Sequence, residues 1–123
     1  VTGRTIAEAA AECGLTTHTL RYYERDGLMR APVARSRSGH RRYTDEDVAW
    51  VRLVTRLRST GMPISEVRAY TDLVRAGEGT EPERLELLRR HRQRVLDRLA
   101  TVRHDLAAIE DKIAVYAGTA GGC

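Results

Sequence analysis

The chain has 123 residues, of which 41% are hydrophobic and 31% charged, too apolar for a disordered segment and without any apolar run long enough to cross a bilayer. A formal net charge of +4 allows a polyanionic partner. The two cysteines, Cys13 and Cys123, make neither a disulfide framework nor a four-ligand zinc site, and no leader-like segment opens the sequence, so a cytoplasmic location is expected.

Thr5 predicts an N-cap for a first helix, "IAEAAAEC", with Ile6, Ala9, Ala10 and Cys13 on one stripe. Gly14 should end it, and Thr16 should cap a second helix, "THTLRYYER", after a two-residue turn. Two short helices joined this tightly form a helix-turn-helix. Gly27 closes the second helix, and helical periodicity then disappears up to Tyr43. Pro32, Gly39 and several serines there suit a two-stranded wing whose second strand is "HRRY", residues 40–43.

Thr44 and Asp47 predict a capped start for a third helix running to Thr60, with Trp50, Val51, Val54 and Leu57 buried. Ser65 is expected to cap a fourth helix, to about Arg75, that buries Val67, Tyr70 and Val74. Thr80, Glu83 and Pro82 repeat the start signal, and the chain then reads as helix to Ala117. In that stretch Leu85, Leu88, Arg92, Val95, Leu99, Val102, Leu106, Ile109, Ile113 and Tyr116 alternate steps of three and four, the seam of a coiled coil. A helix of roughly 35 residues extends ~50 Å, so a second copy of the same helix is the simplest partner; heptads alone leave its direction open. The expected division is a head at residues 1–76, a linker at 77–81, a dimerisation helix at 82–117 and a flexible tail at 118–123.

The candidate function lies in the head. Thr17 and His18, in the first turn of the second helix, are placed to reach base edges in a major groove, and Arg21 and Tyr22 to bond phosphate oxygens. Consecutive helical residues lie about 100° apart, so Tyr22 and Tyr23 cannot both face one surface, and Tyr23 can instead pack with Leu20 and Leu28. Between Gly27 and Tyr43 stand Arg30, Arg35, Arg37, Arg41 and Arg42 with no acidic residue among them, a charge run that suits phosphate or minor-groove contact. His18, His40, His91 and His104 have no ligand spacing, and no catalytic constellation is legible. No metal site, cofactor or enzymatic activity is expected.

Together, "TIAEAAAECGLTTHTLRYYERDGL", "SGHRRYTDEDV", "LRSTGMPISEV" and the long terminal helix resemble the MerR family of bacterial transcription regulators, from Thr5 to about Tyr116. The resemblance implies an all-α fold with a small β wing, a winged helix-turn-helix head, a second helix pair, and an antiparallel coiled-coil homodimer. It also implies that Thr17, His18, Arg21, Tyr22 and Tyr23, with Arg41, Arg42 and Tyr43, occupy positions the family uses on DNA. Arg35, Arg37 and His40 complete the expected wing set, His40 standing where a tyrosine is usual. The implied partners are a palindromic promoter operator, distorted on binding, and RNA polymerase. The branch it looks closest to senses aldehydes or oxidants through a cysteine in the third helix, but "VTRLRS" contains none. Metal-sensing members use cysteines at both ends of the dimer helix; here only Cys123 lies near one of these, and the effector is left unassigned. The other reading is an architectural or recombination-accessory DNA-binding protein without an effector.

Overall fold

The computed structural model describes residues 3–121 and contains five helices and a two-stranded sheet among them. Two compact units divide at Leu87 and Leu88. In the first, α1 (Ile6–Cys13) and α2 (Thr17–Arg25) form the helix-turn-helix, β1 (Ala34–Arg35) and β2 (Arg41–Arg42) the wing, and α3 (Asp45–Ser59) and α4 (Ile64–Ala76) the second helix pair. The final helix, α5 (Glu81–Gly121), begins in this unit and makes up the described part of the second.

Local chemistry accounts for the starts of the first three helices. Thr5 and Glu8 form a reciprocal capping box, Oγ1 of Thr16 accepts from the amide of Thr19 at 3.1 Å, and Thr44 and Asp47 form a second box. The α1–α2 turn needs Gly14, which adopts φ 69°, a left-handed conformation costly for any residue with a Cβ. With it in place the amide of Leu15 reaches the carbonyl of Ala10 at 2.9 Å and closes the helix end.

The core of the head is built on α3. Val48, Trp50, Val51, Val54 and Leu57 are buried, with α1 and α4 packed against the helix. Trp50 stacks on Tyr70 at 5.6 Å with the rings 3° from parallel, and its indole N–H donates to the carbonyl of Leu28 at 2.7 Å. Arg75 on α4 donates through Nε to the carbonyl of Met29 at 2.8 Å. The stretch after α2 has no ladder of its own, so these two side chains satisfy backbone groups that secondary structure leaves open. Thr71, fully buried, donates its hydroxyl to the carbonyl of Val67 at 2.8 Å. Cys13 is half-buried with its sulfur 3.9 Å from the carbonyl of Val48.

Several boundaries differ from the sequence expectation. The N-cap of α4 is Pro63 instead of Ser65, because proline's fixed φ, −60° here, places its carbonyl to accept from the amides of Glu66 and Val67. The hydroxyl of Thr80 turns back to donate to the carbonyls of Leu73 and Gly77, each at 2.8 Å, so it ties the loop down instead of capping α5. Regular pairing in the second wing strand covers only Arg41–Arg42 of the expected residues 40–43. The long helix continues past Ala117 to Gly121, through residues expected in a flexible tail: glycine lowers helix propensity without abolishing it, and no proline intervenes. Cys123 lies outside the described residues.

In the second unit, Leu99, Val102, Leu106, Ile109, Ile113 and Tyr116 are 42–66% exposed. They recur at alternating spacings of three and four, so they line one face of the helix. Val95 is half-buried and Arg92 exposed.

The Thr44 capping box gives the first testable outcome. Thr44→Ala should lower stability by about 1 kcal/mol, read as a shift in the urea midpoint at fixed protein concentration. An unchanged midpoint would mean that α3 is held by its packing alone.

Candidate nucleic-acid interface

Helix α2 has nine residues, too few to be stable in isolation, and it is held by the side it buries. Leu20 is fully buried and Tyr23 is 6% exposed. Residues three and four apart share a helix face, so His18, Arg21, Tyr22 and Arg25 form the opposite stripe. His18, Arg21 and Arg25 are exposed there and Tyr22 half-buried. Thr17 is half-buried in the first turn. Arg25 was not among the expected contacts, although its place one turn beyond Arg21 was legible in the spacing.

The wing stands beside this stripe. Ala34 pairs with Arg42 and Arg35 with Arg41, antiparallel, and Tyr43 continues the line by an isolated bridge to Arg4 with backbone bonds of 2.8 Å in each direction. At the tip the amide of Ser36 donates to the carbonyl of His40 at 2.7 Å, that of Gly39 donates to the carbonyl of Ser36 at 2.9 Å, and Nη1 of Arg35 donates to the carbonyl of Gly39 at 2.9 Å. Gly39 takes φ 84°, which the reversal requires. Oγ of Ser38 lies 2.8 Å from Nδ1 of His40. Arg37 and His40 are exposed on this braced tip.

One carboxylate joins helix and wing. Glu24 pairs with Nε of Arg41 and accepts from the hydroxyl of Tyr43 at 3.4 Å. Sequence reading passed over Glu24, because its partners lie 17 and 19 residues away and no helical or strand spacing links them. Tyr43 is fully buried, and its hydroxyl is pushed up to about 12, first by burial and then by the negative charge of Glu24, with Arg41 opposing. Tyr23 is raised as well, chiefly by burial. Both tyrosines are therefore buried in the head, Tyr23 as its alternative packing with Leu20 and Leu28 has it.

The charge run is also less uniform than it reads. Arg30 pairs with Glu46 of α3 and Arg41 with Glu24 of α2, both acids arriving from outside the arginine-rich segment. Arg42 lies close enough to Glu8 to help hold that carboxyl below its usual range, behind the larger effect of its hydrogen bonds to Thr5. Among the described residues, Arg21, Arg25, Arg35 and Arg37 have no carboxylate partner. Between wing and helix pair, Thr5, Ile6, Arg21, His40, Arg41 and Arg42 line a cleft of about 390 Å³. Three guanidiniums and the first turn of a helix around one cleft make a surface suited to anionic oxygens.

Residues 4–73 match the family described as "MerR HTH family regulatory protein", and residues 48–114 that described as "MerR, DNA binding". An HTH-type transcriptional regulator of Haemophilus influenzae is 34% identical over 112 residues, covering 91% of this chain and 82% of its own length. The HTH-type transcriptional regulator AdhR of Bacillus subtilis is 41% identical over 92 residues, 75% of this chain and 65% of its own. Among solved structures, HiNmlR, a MerR family regulator lacking the sensor domain and bound to promoter DNA, superposes with a TM-score of 0.85 at 33% identity, covering 98% of this chain and 96% of that one. A MerR family transcriptional regulator from Listeria monocytogenes gives 0.87 at 34% identity, covering 93% and 86%.

The Glu24 junction predicts a titration. Because Tyr43 has its folded value above the ordinary 10.0, the stability it contributes is complete below pH ~10 and is lost as pH rises towards 12. Glu24→Gln should move the Tyr43 midpoint down while leaving the part due to burial, followed by phenolate absorbance against a Tyr43→Phe control. A midpoint that stays in place would disconnect Glu24 from the wing.

Proposed function

The chain belongs to the MerR family and is a DNA-binding transcription regulator; from that premise we propose that it acts as a homodimer on a palindromic promoter site and distorts the duplex to control transcription. The observation that carries this reading is the outward stripe of α2 beside the braced wing, with arginines that have no acid partner among the described residues. In the proposed complex Thr17 and His18 meet base edges, while Arg21 and Tyr22 hold phosphate oxygens. Arg35, Arg37, His40, Arg41 and Arg42 bring the wing onto the flanking backbone. Phosphate contacts fix register, and base contacts choose sequence.

The second copy is proposed from the exposed apolar face of α5. Leu85, Leu88, Val95, Leu99, Val102, Leu106, Ile109, Ile113 and Tyr116, with Arg92 as the polar interruption, form the proposed seam. An antiparallel pairing of the two helices holds a head at each end of the spacer, so that the heads enter successive major grooves about 34 Å apart. Bending a site of 20 to 30 base pairs costs about 1–6 kcal/mol, which the added contacts of a second head help to offset. RNA polymerase at the same promoter is the proposed reader of the distortion, and the cytoplasm the proposed location. The relatives in Haemophilus influenzae and Bacillus subtilis are transcription regulators, and the proposed role involves no catalysis.

Arg21→Ala should weaken binding to every sequence and reduce the salt slope of affinity by about 1, whereas His18→Ala should change base preference more than overall affinity. Footprints and salt titrations identical to wild type for both variants would remove α2 from the interface. Leu99→Asp should give monomers in sedimentation and lose tight operator binding. If that monomer bound its site as strongly as wild type, the dimer would drop out of the mechanism.

A further inference from the structure

We propose that Glu24 is a positioning residue for DNA binding, holding the Arg41 guanidinium by one edge so that its opposite edge, together with Arg21, grips a single backbone phosphate in the cleft between the wing and the helix-turn-helix. The inference rests on the reading of α2 and the wing as the DNA-binding face. Residues three apart share a helix face, so Arg21 and Glu24 stand one turn apart on α2. Arg21 lines the cleft, and Glu24 reaches the wing from the same helix.

The geometry divides Arg41 between two tasks. Its Nε donates to Oε2 of Glu24, the oxygen that also accepts from the hydroxyl of Tyr43. Neither Nη atom has a partner among the described residues, although Arg41 lines the cleft of about 390 Å³ with Arg21 and Arg42, and no acid does. A guanidinium is a rigid fork of donors, so fixing it at Nε also fixes the direction of the Nη1–Nη2 edge, which matches two phosphate oxygens. Glu24 is 19% exposed and Arg41 35%, so the pair is partly sheltered from the water and salt that weaken a surface ion pair. Charge alone predicts the opposite consequence. A carboxylate near a polyanion repels it, so removing the charge of Glu24 should tighten DNA binding if the residue acted only through its field. A residue that acts by aiming Arg41 should weaken binding when its charge is removed.

The test titrates each variant into a labelled mixed-sequence duplex long enough for two successive major grooves, at several salt concentrations, with fluorescence anisotropy as the readout; phosphate contacts do not depend on sequence. Glu24→Gln should bind roughly tenfold more weakly than wild type, the scale of one charge-assisted hydrogen bond, with a salt slope smaller by about 1. In an Arg41→Ala background the same substitution should cost nothing further. Arg41→Lys keeps the charge but lacks the fork that serves carboxylate and phosphate at once, so it should lose affinity with Glu24 in place. That variant carries the test if Glu24→Gln, checked by its helical circular dichroism, does not fold. Tighter or unchanged binding by folded Glu24→Gln, an equal loss in the Arg41→Ala background, or wild-type binding by Arg41→Lys would overturn the proposal. Arg21→Ala separates it from the reading beneath it. If Arg21→Ala is weakened and Glu24→Gln is not, only the role of Glu24 falls, whereas wild-type binding by Arg21→Ala removes the shared interface.

Discussion

The outward face of this molecule depends on what α2 buries. A nine-residue helix cannot meet the cost of its own nucleation in water. Leu20 and Tyr23 supply the missing stabilisation by entering the core, and their burial fixes the rotation of the helix about its axis. That rotation leaves His18, Arg21, Tyr22 and Arg25 on the other side. The positioning of these candidate contact residues is thus a consequence of hydrophobic packing two positions away from each of them.

The wing is positioned by a different kind of force. Its strands are two residues each, too short to hold an orientation by pairing alone. The carboxylate of Glu24, reached by both Arg41 and Tyr43, ties the hairpin to α2, while the bridge from Tyr43 to Arg4 ties it to the start of α1. Neutralising Arg41 this way reduces the free charge on the wing but gives the remaining arginines a fixed platform. Rigid placement before contact removes part of the ordering cost of binding.

The second unit presents the opposite situation, a helix whose apolar residues are exposed along its length. A continuous face of that kind is costly in water, and a coiled-coil partner is the simplest structure that removes it. The proposed dimer therefore follows from an unmet demand of the single chain.

Local physics made much of this readable in advance. The threonine caps at Thr5, Thr16 and Thr44, the turn at Gly14, the buried stripe of α3 and the heptad spacing of α5 all rest on interactions within a few residues, so the sequence by itself determined the helix-turn-helix, the wing and the long terminal helix. It determined too that His18 and Arg21 share a face. Side-chain meetings across long separations were decided only by the tertiary structure: Glu24 with Arg41, Arg30 with Glu46, Trp50 with the carbonyl of Leu28, and the full burial of Tyr43. The physical reason is that helical and strand periodicities report which way a side chain points along its own element, whereas charge pairing and burial depend on which other element arrives opposite it.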